Sequence, residues 1–253
     1  MHRLVLALAV VLVAPVAFAA GAPGGAPAAK PTEKTADATG PGSIAGVVAF
    51  KGAAPKAESF KVSDPGCGAA SVTDPSVLVS KDGKALGNVF VRIIKNAPPA
   101  AELPAGPVVV EQQGCLYRPF VQGAVKGQKI QLRNTDGTMH NIHAFQGAEK
   151  GAKTIFNVAQ PPGAKAVEKD PKGAEVVKLK CDVHPWMTAY VIVSEHGFFS
   201  ASDAEGRFEI KAVPPGTYTV EAWHERFGAL TAEVKVEPGQ AVDPKFVFAD
   251  KKG

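Results

Sequence analysis

The stretch Cys181-Asp182-Val183-His184-Pro185-Trp186-Met187 decides how the rest of the chain is read. A thiolate, an imidazole and a thioether stand at Cys-x2-His-x2-Met spacing, and an apolar segment, Thr188 to Val193, follows at once. Two imidazoles and a thiolate with a weak axial thioether are the donors of an electron-transfer copper site. The loop supplies one imidazole, and Thr138-Met139-His140-Asn141-Ile142-His143 offers two candidates for the other. Side chains alternate along an extended strand, so His140 and His143 face opposite ways and at most one joins the site.

His140-Asn141-Ile142-His143, then Phe156-Asn157, then the 181–187 loop resemble the cupredoxins. The short loop with its His-Pro-aromatic-Met is most similar to the amicyanin-like members. The resemblance spans roughly residues 106–195. It implies a Greek-key sandwich with one copper at one end, held by His140, Cys181, His184 and Met187. It also implies Asn141 beside His140 as a hydrogen-bonding tie to the residue after the Cys. Met139 stands where the family often has Pro, and Asp182 where it usually has Ser or Thr. A carboxylate at 182 still accepts from the Asn141 amide, so the tie is expected to persist.

Residues 1–19 read as a secretory signal peptide: His2 and Arg3, the apolar run Leu4 to Val13, then Ala17-Phe18-Ala19 as a small-x-small cleavage site. The apolar run is too short to span a bilayer, no later run is long enough, and no Cys near the cleavage point suggests a lipid anchor. Ala20 to Pro41, rich in Gly, Ala and Pro, reads as a flexible tether. Export to the periplasm or beyond is therefore expected, with no integral membrane segment after removal of the leader. Of 28 Lys and Arg against 24 Asp and Glu, only Arg3 lies in the leader, which leaves +3. That mild, scattered charge argues against a nucleic-acid partner.

Three cysteines in an exported chain leave one unpaired. With Cys181 at ligand spacing, Cys67 and Cys115 remain to form a disulfide, a bond suited to an oxidising compartment. Its closure stabilises by about 4 kcal/mol on the chain-entropy account. No Cys-x2-Cys-His occurs, which excludes covalent haem.

Short β-branched segments bounded by Gly or Pro recur at Ile44–Phe50, Asn88–Ile94, Pro107–Val110, Gln128–Arg133 and Val176–Lys180, and they predict an all-β chain. The stretch 52–80 shows no clear periodicity. Toward the end, Asp203-Ala204-Glu205-Gly206 opens one alternating strand and Pro214-Pro215-Gly216 a second, and the two are expected to form a hairpin. With Gly42-Ser43-Ile44-Ala45-Gly46-Val47-Val48, this end resembles the carboxypeptidase-regulatory, or transthyretin-like, domain. The matching halves flank the cupredoxin-like segment. The expected architecture is thus a cupredoxin-like sandwich, 106–195, inserted into a transthyretin-like sandwich built from 42–105 and 196–250.

His196 and His224 each follow a strand and are expected to face solvent, with Trp223 in the transthyretin-like core. Trp186 either covers the metal or forms an exposed patch beside His184. No Gly-x-Ser-x-Gly, His-Glu-x-x-His or phosphate loop is present, so the chain does not read as an enzyme. The expected function is a one-electron copper carrier that exchanges with a redox protein. The alternative is a non-catalytic module that binds a protein or glycan, with weak or no metal binding.

Overall fold

Alternating apolar and polar residues drive nearly every segment of this chain into extended structure, and four sheets carry most of it. The computed structural model describes residues 39–99 and 104–250, so the expected signal peptide and most of the tether lie outside the described residues. Among the described residues, no helix is long and apolar enough to cross a membrane.

One pair of sheets joins the two ends of the chain. Gly42–Val47 pairs antiparallel with Arg207–Val213 and parallel with Ala241–Val242. Opposite them, Phe90–Lys95 lies between Phe199–Ala201 and Gly216–His224, and Gly216–His224 pairs onward with Gly228–Val236. Ile44, Leu86, Val91, Ile93, Phe208, Ile210, Val220 and Val234 fill the space between. The other pair is built from the middle of the chain. A five-stranded sheet runs Lys153–Gln160, His140–Gln146, Val176–Lys180, Thr188–Ser194, Val121–Val125. A four-stranded sheet runs Val167–Lys169, Ile130–Asn134, Val108–Gln112, Tyr117–Arg118. Val110, Leu132, Ile142, Val177, Leu179 and Val191 form the core between these two.

Thr188–Ser194 is buried on both faces, which explains its unbroken apolar sequence. Ala189, Val191 and Val193 point into the middle sandwich, while Tyr190 and Ile192 meet Phe90, with Phe199 and Trp223 packed alongside. Tyr190 packs edge-on against Trp223 at 5.4 Å and against Phe120 at 5.7 Å.

Four expectations are corrected. Arg207–Val213 and Gly216–His224 are not a hairpin but belong to different sheets. Two consecutive prolines donate no backbone N–H, so the ladder cannot continue through them and the chain crosses between layers. The Tyr218 hydroxyl donates to the Pro214 carbonyl at 2.8 Å and fastens this corner. The predicted turn before it does form: Gly206 sits at φ 74°, where a Cβ would also press on the Val48 carbonyl. The second correction concerns 59–73, grouped by sequence with the transthyretin-like part. Ser59–Lys61 and Ser71–Thr73 pair, and Val62, Cys67 and Val72 bury into the middle sandwich instead. Third, Trp223 lies on the outward face of its strand, against Tyr190. Fourth, His196 and His224 are both buried. Strand alternation puts His224 on the inward face with Tyr218, Val220 and Ala222.

His224 packs near Phe227 and Phe248 and accepts the Arg226 N–H at Nδ1 (3.1 Å), and among the described residues no well-formed hydrogen bond reaches its buried Nε2. Burial, then the charge of Arg226, lowers its pKa from 6.5 to about 4. The unfolded chain therefore binds the extra proton first. The stability tied to a neutral His224 is complete above pH 6.5 and is lost as pH falls toward about 4. This amounts to on the order of 3 kcal/mol. Denaturant unfolding at pH 7 and about pH 4 should show a smaller acid loss in His224→Asn than in wild type, because Asn keeps an acceptor near Arg226 without titrating.

Candidate metal centre

Antiparallel register brings the two distant segments together. His143 pairs with Lys180 and Ala144 with Leu179. Continued past the strand end, that register sets Asn141 opposite Asp182 and places His140 beside the loop. The loop is closed by its own backbone: Met187 N–H donates to the His184 carbonyl at 2.9 Å, and Cys181 N–H to the Met187 carbonyl at 3.3 Å. The His184 N–H donates to Cys181 Sγ at 3.3 Å.

The side chains expected as ligands meet in one buried place. Nδ1 of His140 lies 2.9 Å from Nδ1 of His184, and Cys181 Sγ lies 4.0 Å from the latter. One ligand atom from each of His140, Cys181 and His184 lies within 4.8 Å of the others. His140 and Met187 are fully buried, Cys181 and His184 nearly so. Met187 shares the core cluster with Cys181.

Each imidazole turns its other nitrogen to a carboxylate, and sequence reasoning found neither one. His140 Nε2 is 2.9 Å from Asp136 Oδ2, and His184 Nε2 is 3.5 Å from Asp64 Oδ2. Asp136 stands four residues before His140, in the turn-forming stretch Asn134-Thr135-Asp136-Gly137, which masks it as a partner of the ring. Asp64 lies in the aperiodic 52–80 stretch and carried no signal. An ionised carboxylate only accepts, so Asp136 assigns the His140 proton to Nε2, and the longer Asp64 contact favours the same tautomer for His184. Both Nδ1 lone pairs then face one another at 2.9 Å, away from water, with the Cys181 sulfur beside them. Two buried acceptors at that distance require a proton or a cation between them. Nitrogen and sulfur donors suit a copper ion, so the donor set fits the expected metal. Burial lowers the pKa of His140, with the Asp136 hydrogen bond working against that shift.

The surrounding ties are as specific. Asn141 Oδ1 accepts the Asp182 N–H at 2.7 Å, while its Nδ2 donates to Asp182 Oδ2 and Asn157 Oδ1, both at 2.8 Å. Burial opposes ionisation of Asp182, but hydrogen bonds from Asn157, His143 and Asn141 outweigh it and hold its pKa below the ordinary value. The Tyr117 hydroxyl donates to the Asn141 carbonyl. His143 points the other way, toward Asp182 (3.2 Å) and Thr154 (2.9 Å), and stacks on Phe145. Trp186 is part-buried: its ring lies 5.2 Å from His184 and 6.0 Å from Phe60, and Nε1 donates to the Cys115 carbonyl at 3.0 Å. Cys67 and Cys115 are joined, with Cα atoms 5.2 Å apart, and Cys181 is free.

A family model for the carboxypeptidase regulatory-like domain matches residues 184–249. No curated protein matches the chain. Solved structures similar to it include a purple cupredoxin from Nitrosopumilus maritimus, 23% identical over 34% of this chain and 99% of that one, at a TM-score of 0.30. A reduced amicyanin mutant is 23% identical over 41% of this chain and 98% of its own, at 0.31. A copper-containing nitrite reductase from Thermus scotoductus is 18% identical over 41% of this chain and 25% of its own, at 0.31.

Thiol titration checks the cysteine arrangement. In metal-free protein the native state should react at no cysteine, because Cys181 is buried and the other two are bonded. Denaturation without reductant should expose one thiol, and denaturation with reductant all three. Two or more reactive thiols before reduction would contradict the pairing.

Proposed function

We propose that this chain is an exported mononuclear copper protein that carries one electron to or from a redox protein. His140, Cys181, His184 and Met187 are the residues that would hold the metal. The observation that carries this reading is the pair of facing Nδ1 atoms, 2.9 Å apart beside a buried cysteine. Bound there, copper supplies a one-electron couple, Cu(II)/Cu(I).

The chain's own residues suit that task. Three of the four side chains lie on a loop closed by two backbone hydrogen bonds, and the fourth, His140, begins the neighbouring strand. Such fixed groups move little when charge changes. Burial excludes water from the sulfur, and Asn141 locks the loop to the strand through Asp182. Cys181 is an unsuitable nucleophile, since no open face lets a substrate reach it. A carrier therefore fits better than an enzyme.

The connectivity of the sheets supports a domain reading as well. Strands from 42–95 and 199–249 share three sheets, those of 108–194 form two more, and Ser59–Lys61 pairs only with Ser71–Thr73. We read the middle sandwich as a copper domain inserted in a transthyretin-like one, with 59–73 lent to it. The leader expected at 1–19 supports export, and fractionation of cells that express the full chain tests it.

Copper-loaded protein should show an intense visible thiolate-to-copper band. Cys181→Ala should abolish it, whereas His143→Ala, which loses contacts to Asp182, Thr154 and Phe145 away from the site, should leave it nearly unchanged. Persistence of the band without Cys181 would refute the assignment.

Asp182→Thr should keep the band and raise the reduction potential, because it removes a negative charge from the Asn141 tie while leaving a hydroxyl to accept from it. The carboxylate is about half exposed, so water screens it and the shift should be modest. Equal potentials in a redox titration would remove Asp182 from the tuning of the site.

A further inference from the structure

His184 lies on a loop at the end of a sandwich, where one ring edge would ordinarily meet water. Here a strap crosses it. Between the short paired strands Ser59–Lys61 and Ser71–Thr73, the chain brings Asp64 and Cys67 against the His184 ring edge. Cys67 Sγ lies 3.9 Å from His184 Nε2, and its disulfide partner Cys115 Sγ lies 3.8 Å from His140 Nε2.

The strap is held in several places. Asp64 Oδ1 accepts the Gly66 N–H at 2.8 Å, and Oδ2 accepts the Thr138 hydroxyl at 2.5 Å. Gly66 sits so close to Thr138 that a Cβ there would come within 2.6 Å of the Thr138 Cβ. The disulfide fastens the strap to Cys115, and the residues around Cys115 hold the second carboxylate: Asp136 accepts the Gly114 N–H at 2.6 Å and the Cys115 N–H at 2.8 Å. One staple thus fixes both carboxylates behind the two imidazoles.

We infer that Asp64 and Asp136 are a matched pair of positioning residues, which aim the Nδ1 lone pairs of His184 and His140 at the metal and bias the centre toward its oxidised state. The inference rests on the copper reading above. A carboxylate behind a ligating imidazole fixes its tautomer and ring orientation and raises its basicity. Two negative charges close to a poorly hydrated centre stabilise the more positive metal state. The disulfide and strap hold the Asp64 member of the pair in place.

The test uses the purified chain in two forms. In the metal-free wild type, nitrogen-15 NMR of the rings should place the proton on Nε2 of both His140 and His184. A bare Nε2 on either ring would overturn the inference for that residue, whatever the variants do, whereas a proton shared between the two Nδ1 atoms is expected once the metal is gone. In the copper form, Asp64→Asn and Asp136→Asn should each keep the thiolate-to-copper band. Each should weaken the preference for Cu(II) over Cu(I) about tenfold, which raises the potential by about 59 mV for a one-electron couple. Asp82→Asn, on a remote exposed loop, should not move it. The double variant Cys67→Ser, Cys115→Ser should shift the potential in the same direction as Asp64→Asn, and adding Asp64→Asn to it should give little more. Lower melting temperatures with unmoved potentials would assign the two carboxylates to structure alone and overturn the proposal. Absence of the band from wild type would instead defeat the copper reading, while the ring tautomers would still report on the positioning.

Discussion

Two imidazole nitrogens that face each other at 2.9 Å, shut away from water beside a cysteine sulfur, set the terms for everything around them. Such an arrangement is unfavourable unless a proton or a cation sits between the two nitrogens, and a loose protein would turn one ring away. Neither ring is free to turn. Asp136 holds the far side of His140, Asp64 lies behind His184, and the register of two neighbouring strands sets the loop beside His140.

The rigidity extends beyond the middle sandwich. Thr188–Ser194, which leaves the loop directly, is buried on both faces, so its position is set by two cores at once. Tyr190 links them further: its ring contacts Phe120 and Trp223, and its hydroxyl donates to Glu225 at 3.1 Å. Glu225, whose pKa is raised by burial, comes from the far sandwich. The loop is therefore anchored from the far sandwich as well as from its own sheet. A loop braced from two sides holds its side chains with little freedom to rearrange.

The strap makes the centre differ from a bare end of a sandwich. Phe60 stacks on Trp186, Asp64 and Cys67 approach the His184 ring edge, and His184 keeps only 4% of its surface exposed. The disulfide that the odd cysteine count predicted thus does more than close a loop. It holds charge and cover against a ring whose sequence neighbours give no hint of either.

What the sequence determined by itself was local. Ligand types at short spacing in 181–187, the alternation that sends His140 and His143 to opposite faces, the all-β character and the Cys67–Cys115 pairing all follow from neighbours a few residues apart or from counting. The Asn141–Asp182 tie was legible too, because a family resemblance supplied the long-range pairing. The tertiary structure decided whatever depends on contacts between remote segments that share no period. It set Asp64 and Asp136 behind the imidazoles, moved 59–73 to the middle sandwich, buried His224 and turned Trp223 outward. It also split the expected hairpin at Pro214-Pro215 between two sheets, since alternation gives each strand its two faces but not the partner on either.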